Sequence, residues 1–186
     1  LGAPRFTNGV LPAPGHFGRI TGLAWTSVGG EILTIECMLL SGRGKVTLTG
    51  RLGDVMKESV QIAISLVRAR LKRYGVDPDL VRKTDIHIHV PEGAVPKDGP
   101  SAGIAMTLVI LSAFTRIPVK PDIAFTGEVS LCGELLPIGG LNEKSLAAKE
   151  AGVKTLYVPE GKRKHVLEFP LPAKKALKIH QKNKKK

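Results

Sequence analysis

From residue 101 to residue 114 the chain reads SAGIAMTLVILSAF, fourteen residues without a charge and apolar on almost every side. A helix of that kind has no face to offer water, so other elements must cover it all round. The run is shorter than the roughly 18 to 20 apolar residues that span a bilayer, and no other stretch approaches that length. With 186 residues, 42% of them hydrophobic, the chain suits one globular domain, with or without a tail, that buries a sizeable core around this helix. The start, Leu1-Gly2-Ala3-Pro4-Arg5, lacks the layout of a signal peptide, and we expect a soluble intracellular protein with no membrane contact. Cys37 and Cys132 are too few for a disulfide framework and form no C-x-x-C pair, so both read as buried free thiols.

A net charge of +12 invites a nucleic-acid reading, and its location weakens it. From Lys162 onward there are ten Lys or Arg against Glu168 alone, a local balance of +9, which leaves 12 − 9 = +3 for residues 1–161. Such a lysine-rich end reads as a solvated tail. Eight aromatics without basic-aromatic interleaving give no platform for single strands. We divide the chain into a Pro- and Gly-rich arm at 1–18, a compact domain at 19–161, and a basic segment at 162–186.

Residues 32–40 and 45–49, joined by Ser41-Gly42-Arg43-Gly44, read as a β-hairpin. Trp25 reads as core or rim packing. A helical stripe recurs at 52, 55, 56, 59, 62, 63 and 66, with Gly75 as a stop. Residues 85–90 alternate strictly, which puts Ile86, Ile88 and Val90 on one strand face and Asp85, His87 and His89 on the other. After a turn-rich segment at 92–100 comes the apolar helix. Short strands are expected at 123–126, 129–132 and 135–137, then a helix at 141–151 stopped by Gly152, and a last strand at 154–158. The fold class is α/β or α+β, with no internal repeat.

Ser101 stands where a tight loop, Lys97-Asp98-Gly99-Pro100, meets a helix start. Unpaired N–H groups and the positive end of the dipole gather there, as an oxyanion site requires. Two readings stand: a helix cap or a nucleophile. A nucleophile needs a base. His87 and His89 suit structural hydrogen bonding, and a metal site at H-x-H lacks further ligands. Lys144 shares a helix face with Leu141, Ser145 and Ala148, where burial would depress its pKa from about 10.4 by disfavouring the ammonium. It also suits a lysine reaching outward from the helix edge.

Residues 85–103, DIHIHVPEGAVPKDGPSAG, closely resemble the catalytic segment of Lon proteases of the bacterial and mitochondrial type. Residues 22–25 (GLAW), 28–31 (VGGE), 53–59 (GDVMKES), 126–128 (TGE) and 136–144 (LPIGGLNEK) resemble the same family in the same order. The resemblance runs from about Gly18 to Glu160 and implies a compact Lon peptidase domain, like ribosomal protein S5 domain 2. It implies a Ser-Lys dyad of Ser101 and Lys144, 144 − 101 = 43 residues apart, with Thr126 supporting the lysine. Glu58, His87, His89 and Asp98 match positions near the family's active site.

The resemblance further implies a serine endopeptidase domain, without a cofactor or metal of its own, taken from an ATP-dependent protease that degrades misfolded and regulatory polypeptides. The full-length enzyme would carry an AAA+ ATPase using ATP and Mg, assemble as a homo-hexamer, and work in the bacterial cytoplasm rather than the mitochondrial matrix. These 186 residues contain no Walker motif. After Glu160 the chain departs from the family's acidic, helix-forming pattern. The competing reading is a catalytically silent S5-like or Lon-like module that binds nucleic acid through the basic tail.

Overall fold

The computed structural model describes residues 15–26, 29–91, 96–159 and 178–182, with the backbone alone described at 25, 26 and 178–182. Most of the expected arm, the tip of the 92–100 turn, the Trp25 side chain and most of the basic segment lie outside the described residues. The mixed α/β architecture is the one expected. Its frame is a seven-stranded sheet whose order is β3 (Val46–Thr49), β4 (Thr84–His89), β2 (Gly29–Ser41), β1 (Arg19–Thr26), β5 (Ile123–Phe125), β8 (Thr155–Pro159) and β9 (Lys178–Lys182). Only β2 runs against its neighbours, β1 and β4; every other pairing is parallel. A small antiparallel pair, β6 (Glu128–Val129) and β7 (Leu135–Leu136), stands apart from it.

The expected hairpin of 32–40 with 45–49 does not form: β4 lies between β2 and β3, and β2 makes its hairpin with β1 instead. Asp85 explains the wider crossing. Its carboxylate accepts the backbone N–H groups of Arg43 (2.9 Å) and Lys45 (2.8 Å), folding the connection over the start of β4. These bonds hold the Asp85 carboxyl below its ordinary range, the Lys45 bond above all. A propensity reading sees two strands and a glycine turn; it cannot see that a third strand will arrive from forty residues on.

Helix α1 (Asp54–Arg70) buries Met56, Ser59, Val60, Ala63, Ile64, Leu66 and Val67, then tightens into a 3₁₀ turn, Leu71–Tyr74, that ends at Gly75 as expected. Val55, counted in the predicted stripe, is exposed instead. Helix α2 (Pro78–Arg82) is short and leads into β4. The apolar run becomes α3 (Gly103–Thr115), covered by α1, β1, β2 and β4. Its large apolar side chains, Met106, Val109, Ile110 and Phe114, each contribute about 1.5–3 kcal/mol by burial.

Helix α4 (Leu141–Glu150) covers the opposite face with Leu23, Ile32 and Leu156. Along β2, Leu33 and Ile35 point to α3 whereas Ile32 points to α4, as the two-residue period of a strand demands. The lysine-rich end, read as a solvated tail, supplies β9 through residues 178–182. Pairing there covers backbone groups that β8 would otherwise leave open at a sheet edge. Of the two thiols read as buried, Cys37 is; Cys132 is exposed at the β6–β7 turn. Burial pushes the Cys37 thiol up to about 12, so it is inert.

Candidate active site

The loop before Ser101 is fixed from below by the start of α1. Gly53 N–H donates to the Lys97 carbonyl (2.7 Å) and Lys97 N–H donates to that of Arg51 (3.3 Å), a strand-like bridge between two loops. Asp98 then performs the capping that α1 lacks locally: its Oδ1 accepts from Met56 N–H (2.9 Å) in the first turn and from Gly99 N–H (2.8 Å). A side chain at position 53 would run into this carboxylate, so the glycine there permits the approach.

Ser101 itself lies in a 3₁₀ turn, Pro100–Ala102, and α3 begins after it at Gly103. No side-chain bond caps either the turn or α3, so the hydroxyl does not serve as a cap. Its carbonyl accepts the Gly127 N–H (2.7 Å), and the Gly127 carbonyl accepts from Ile104 N–H (3.0 Å). The turn is thus held between α1 and the segment that follows β5, with Ser101 half-buried.

On α4 the buried side chains are Leu141, Lys144, Ser145 and Ala148, the face read from spacing. Lys144 is only 2% exposed. The helix comes this close to the sheet because β2 has glycine at position 30; a Cβ there would collide with the Glu143 carbonyl. Desolvation lowers the Lys144 pKa from 10.5 to about 8, against a smaller opposing pull from the Glu143 carboxylate. At pH 7 a lysine titrating there is neutral about one time in eleven, against about one in 2,500 for an ordinary lysine.

Ser101 and Lys144 both line one cleft of about 640 Å³, with Asp98 to Ser101 on one wall and Pro137 to Lys144 on the other. Thr126 is fully buried beside it, its N–H donating to the Tyr157 carbonyl (3.1 Å), and its hydroxyl has no hydrogen-bond partner among the described residues. A buried hydroxyl without a partner costs about 1–3 kcal/mol, so its presence calls for a use. What the cleft offers chemically is an alcohol and a desolvated amine in one lining, with the unpartnered hydroxyl of Thr126 one residue before Gly127, whose N–H bonds Ser101.

The remaining residues singled out in the sequence do not gather there. Glu58 is exposed on α1. His87 and His89 sit on the outer face of β4, both bonded to Thr49 Oγ1, at 3.0 Å from Nε2 and 2.7 Å from Nδ1 respectively. His89 stands opposite Glu36, six residues along β2 from Gly30 where α4 makes contact. Six extended residues span about 20 Å, so neither imidazole reaches Lys144. Among the described residues, no group of three or more His, Cys, Asp or Glu side chains is placed to hold a metal ion. Sequence reasoning missed the work of Gly30 and Gly127, whose only signal was their place in the motifs at 28–31 and 126–128.

The chain is similar to known proteins along its whole length. The family model described as Lon protease (S16) C-terminal proteolytic domain matches residues 1–186. The chain belongs to that family. It is therefore a serine peptidase domain of the Lon type. Lon protease 1 of Myxococcus xanthus is 50% identical over 179 residues, covering 96% of this chain and 22% of the relative. Lon protease of Brevibacillus choshinensis is 51% identical, over 95% of this chain and 23% of the relative. Lon protease of Escherichia coli (strain K12) is 52% identical over 91% of this chain and 22% of the relative. The chain thus spans about a fifth of the length of the curated relatives it matches. Because the family match takes in residues 162–186, the lysine-rich end lies inside the family's domain.

Proposed function

We propose that this Lon-type domain hydrolyses peptide bonds with Ser101 as nucleophile and Lys144 as general base. The observation that carries the proposal is a lysine 2% exposed in the wall of the cleft that Ser101 also lines. Neutral Lys144 takes the proton of the Ser101 hydroxyl while Oγ attacks the substrate carbonyl carbon. The tetrahedral oxyanion collapses, the peptide C–N bond breaks, and the lysine proton leaves with the amine. Water then attacks the acyl ester with Lys144 again as base, releasing the acid and restoring Ser101 Oγ–H. The unpartnered hydroxyl of Thr126 suits a hydrogen bond to the amine that keeps it directed inward. Asp98 acts as a positioning residue, holding the Ser101 loop against α1.

The whole protein, on this proposal, is an ATP-dependent protease acting on misfolded and regulatory polypeptides. Its support is the length of the relatives and their shared name, Lon protease. ATP and Mg would serve a motor in the rest of such a protein, assembled as a hexamer in a bacterial cytoplasm; this domain would need no cofactor.

The deciding experiment is hydrolysis of a fluorogenic unstructured peptide by wild type, Ser101→Ala and Lys144→Ala. Wild-type kcat/KM should rise with pH to a plateau above about 8, the Lys144 value. Normal turnover by either variant would remove the assignment.

A further inference from the structure

Away from the cleft, the connection after β2 and the ends of α1 and α2 enclose a recess of about 380 Å³ lined by Arg43, Gly44, Arg68, Pro78, Val81 and Arg82. Its three guanidinium groups belong to exposed side chains, and none takes part in an ion pair among the described residues. Arg68 Nη2 makes one long contact, 3.4 Å, to the Gly44 carbonyl. The Asp85 carboxylate, beneath the connection that carries Arg43, is already engaged by the backbone N–H groups of Arg43 and Lys45. The six residues that line the recess carry three positive charges and no carboxylate; of the two acids beside Pro78, Asp77 is taken up by the Asp79 N–H at the start of α2.

Arg68 and Arg82 have a competing explanation, because each lies in the last turn of its helix, where a cation meets the negative end of the dipole. Arg43 does not: it sits in a loop between strands. Three converging like charges repel one another unless an anion joins them. Guanidinium forks match the oxygens of a phosphate in pairs, a geometry that a lone ammonium cannot supply.

We propose that this recess binds the dianionic phosphate of a small phosphorylated molecule. The site is separate from the cleft. Met56, which bonds to Asp98 at the cleft's edge, and Arg68 are 68 − 56 = 12 residues apart on α1. At 1.5 Å per residue that is about 18 Å, too far for the ligand to reach the reacting groups. Binding there therefore does not depend on the peptidase reading.

Calorimetric titration of the 186-residue chain with inorganic phosphate and with phenyl phosphate, at fixed ionic strength and about pH 8 where both are dianions, tests the proposal. Saturable binding of one equivalent is expected. Arg43→Gln alone, and Arg68→Gln with Arg82→Gln, should each weaken it about tenfold or more. Lys72→Gln with Arg73→Gln, exposed charges at the same end but outside the recess, should leave it within about twofold. Equal affinity for both ligands points to free phosphate, and tighter phenyl phosphate to an ester. Absence of saturation, equal losses in the control, or a preference for single-stranded DNA that grows with its length would overturn the proposal. Peptide hydrolysis should persist in every variant, which separates this test from that of the dyad.

Discussion

The outer face of β4 and the wall of the cleft both place hydroxyls near groups able to carry a proton, but they treat those groups in opposite ways. On β4, Thr49 bonds both His87 and His89, and Asp85 takes two backbone N–H groups, so each of these three side chains has a partner. At the cleft, Lys144 is buried and forms no ion pair among the described residues, and the hydroxyl of buried Thr126 has no partner among them. Satisfied polar groups stabilise; unsatisfied ones store free energy that a substrate can release. Histidine is the usual base beside a serine, and here the two candidates are bonded to Thr49 while a lysine lies in the lining of the cleft that holds Ser101.

The largest test of this contrast is activity. Ser101→Ala or Lys144→Ala should lower kcat/KM for a peptide about 10³-fold or more, whereas His87→Gln with His89→Gln should change it less than about threefold. A comparable loss in the histidine variant would erase the distinction.

Next in size is a stability effect of opposite sign. Burial depresses the Lys144 pKa, so between about 8 and 10.5 the unfolded chain binds a proton that the folded one does not, and stability rises with pH across that window. Below about 8 the penalty is fully present; above 10.5 it is gone. Lys144→Met should therefore stabilise the fold by about 1–3 kcal/mol at neutral pH and flatten the pH dependence of urea unfolding.

Thr126→Val should lower kcat about tenfold with no loss of melting temperature, since the hydroxyl has no partner among the described residues to forfeit. A destabilised variant with normal kcat would make Thr126 part of the scaffold. The smallest effect falls on the satisfied face. Asp85→Asn should slightly lower the melting temperature above about pH 4 and leave kcat alone. The carboxyl pKa is lowered on folding, so its contribution is present above the ordinary value of 3.8 and disappears as pH falls through the folded value. Thermal melts of both proteins from acid to neutral pH would detect it.

Much of the fold was legible because it rests on local periodicity. The alternation at 85–90, the buried α3, the inward face of α4 and the stops at Gly75 and Gly152 follow from side-chain spacing and glycine placement. The hairpin of 32–40 with 45–49 was misread, because strand pairing depends on partners remote in sequence. Motif resemblance named Ser101 and Lys144, but also Glu58, His87 and His89, since a motif records which residues recur and not which ones face the cleft.

Spacing along the chain, then, determined most of which residues would be helix, strand and core, and resemblance of motifs picked out the hydroxyl and the amine to watch. Tertiary packing decided the chemistry. Gly30 lets α4 descend onto β2, and that descent is what removes Lys144 from water. A pKa is set by solvation and by neighbouring charges, and both are properties of the assembled layers rather than of any segment.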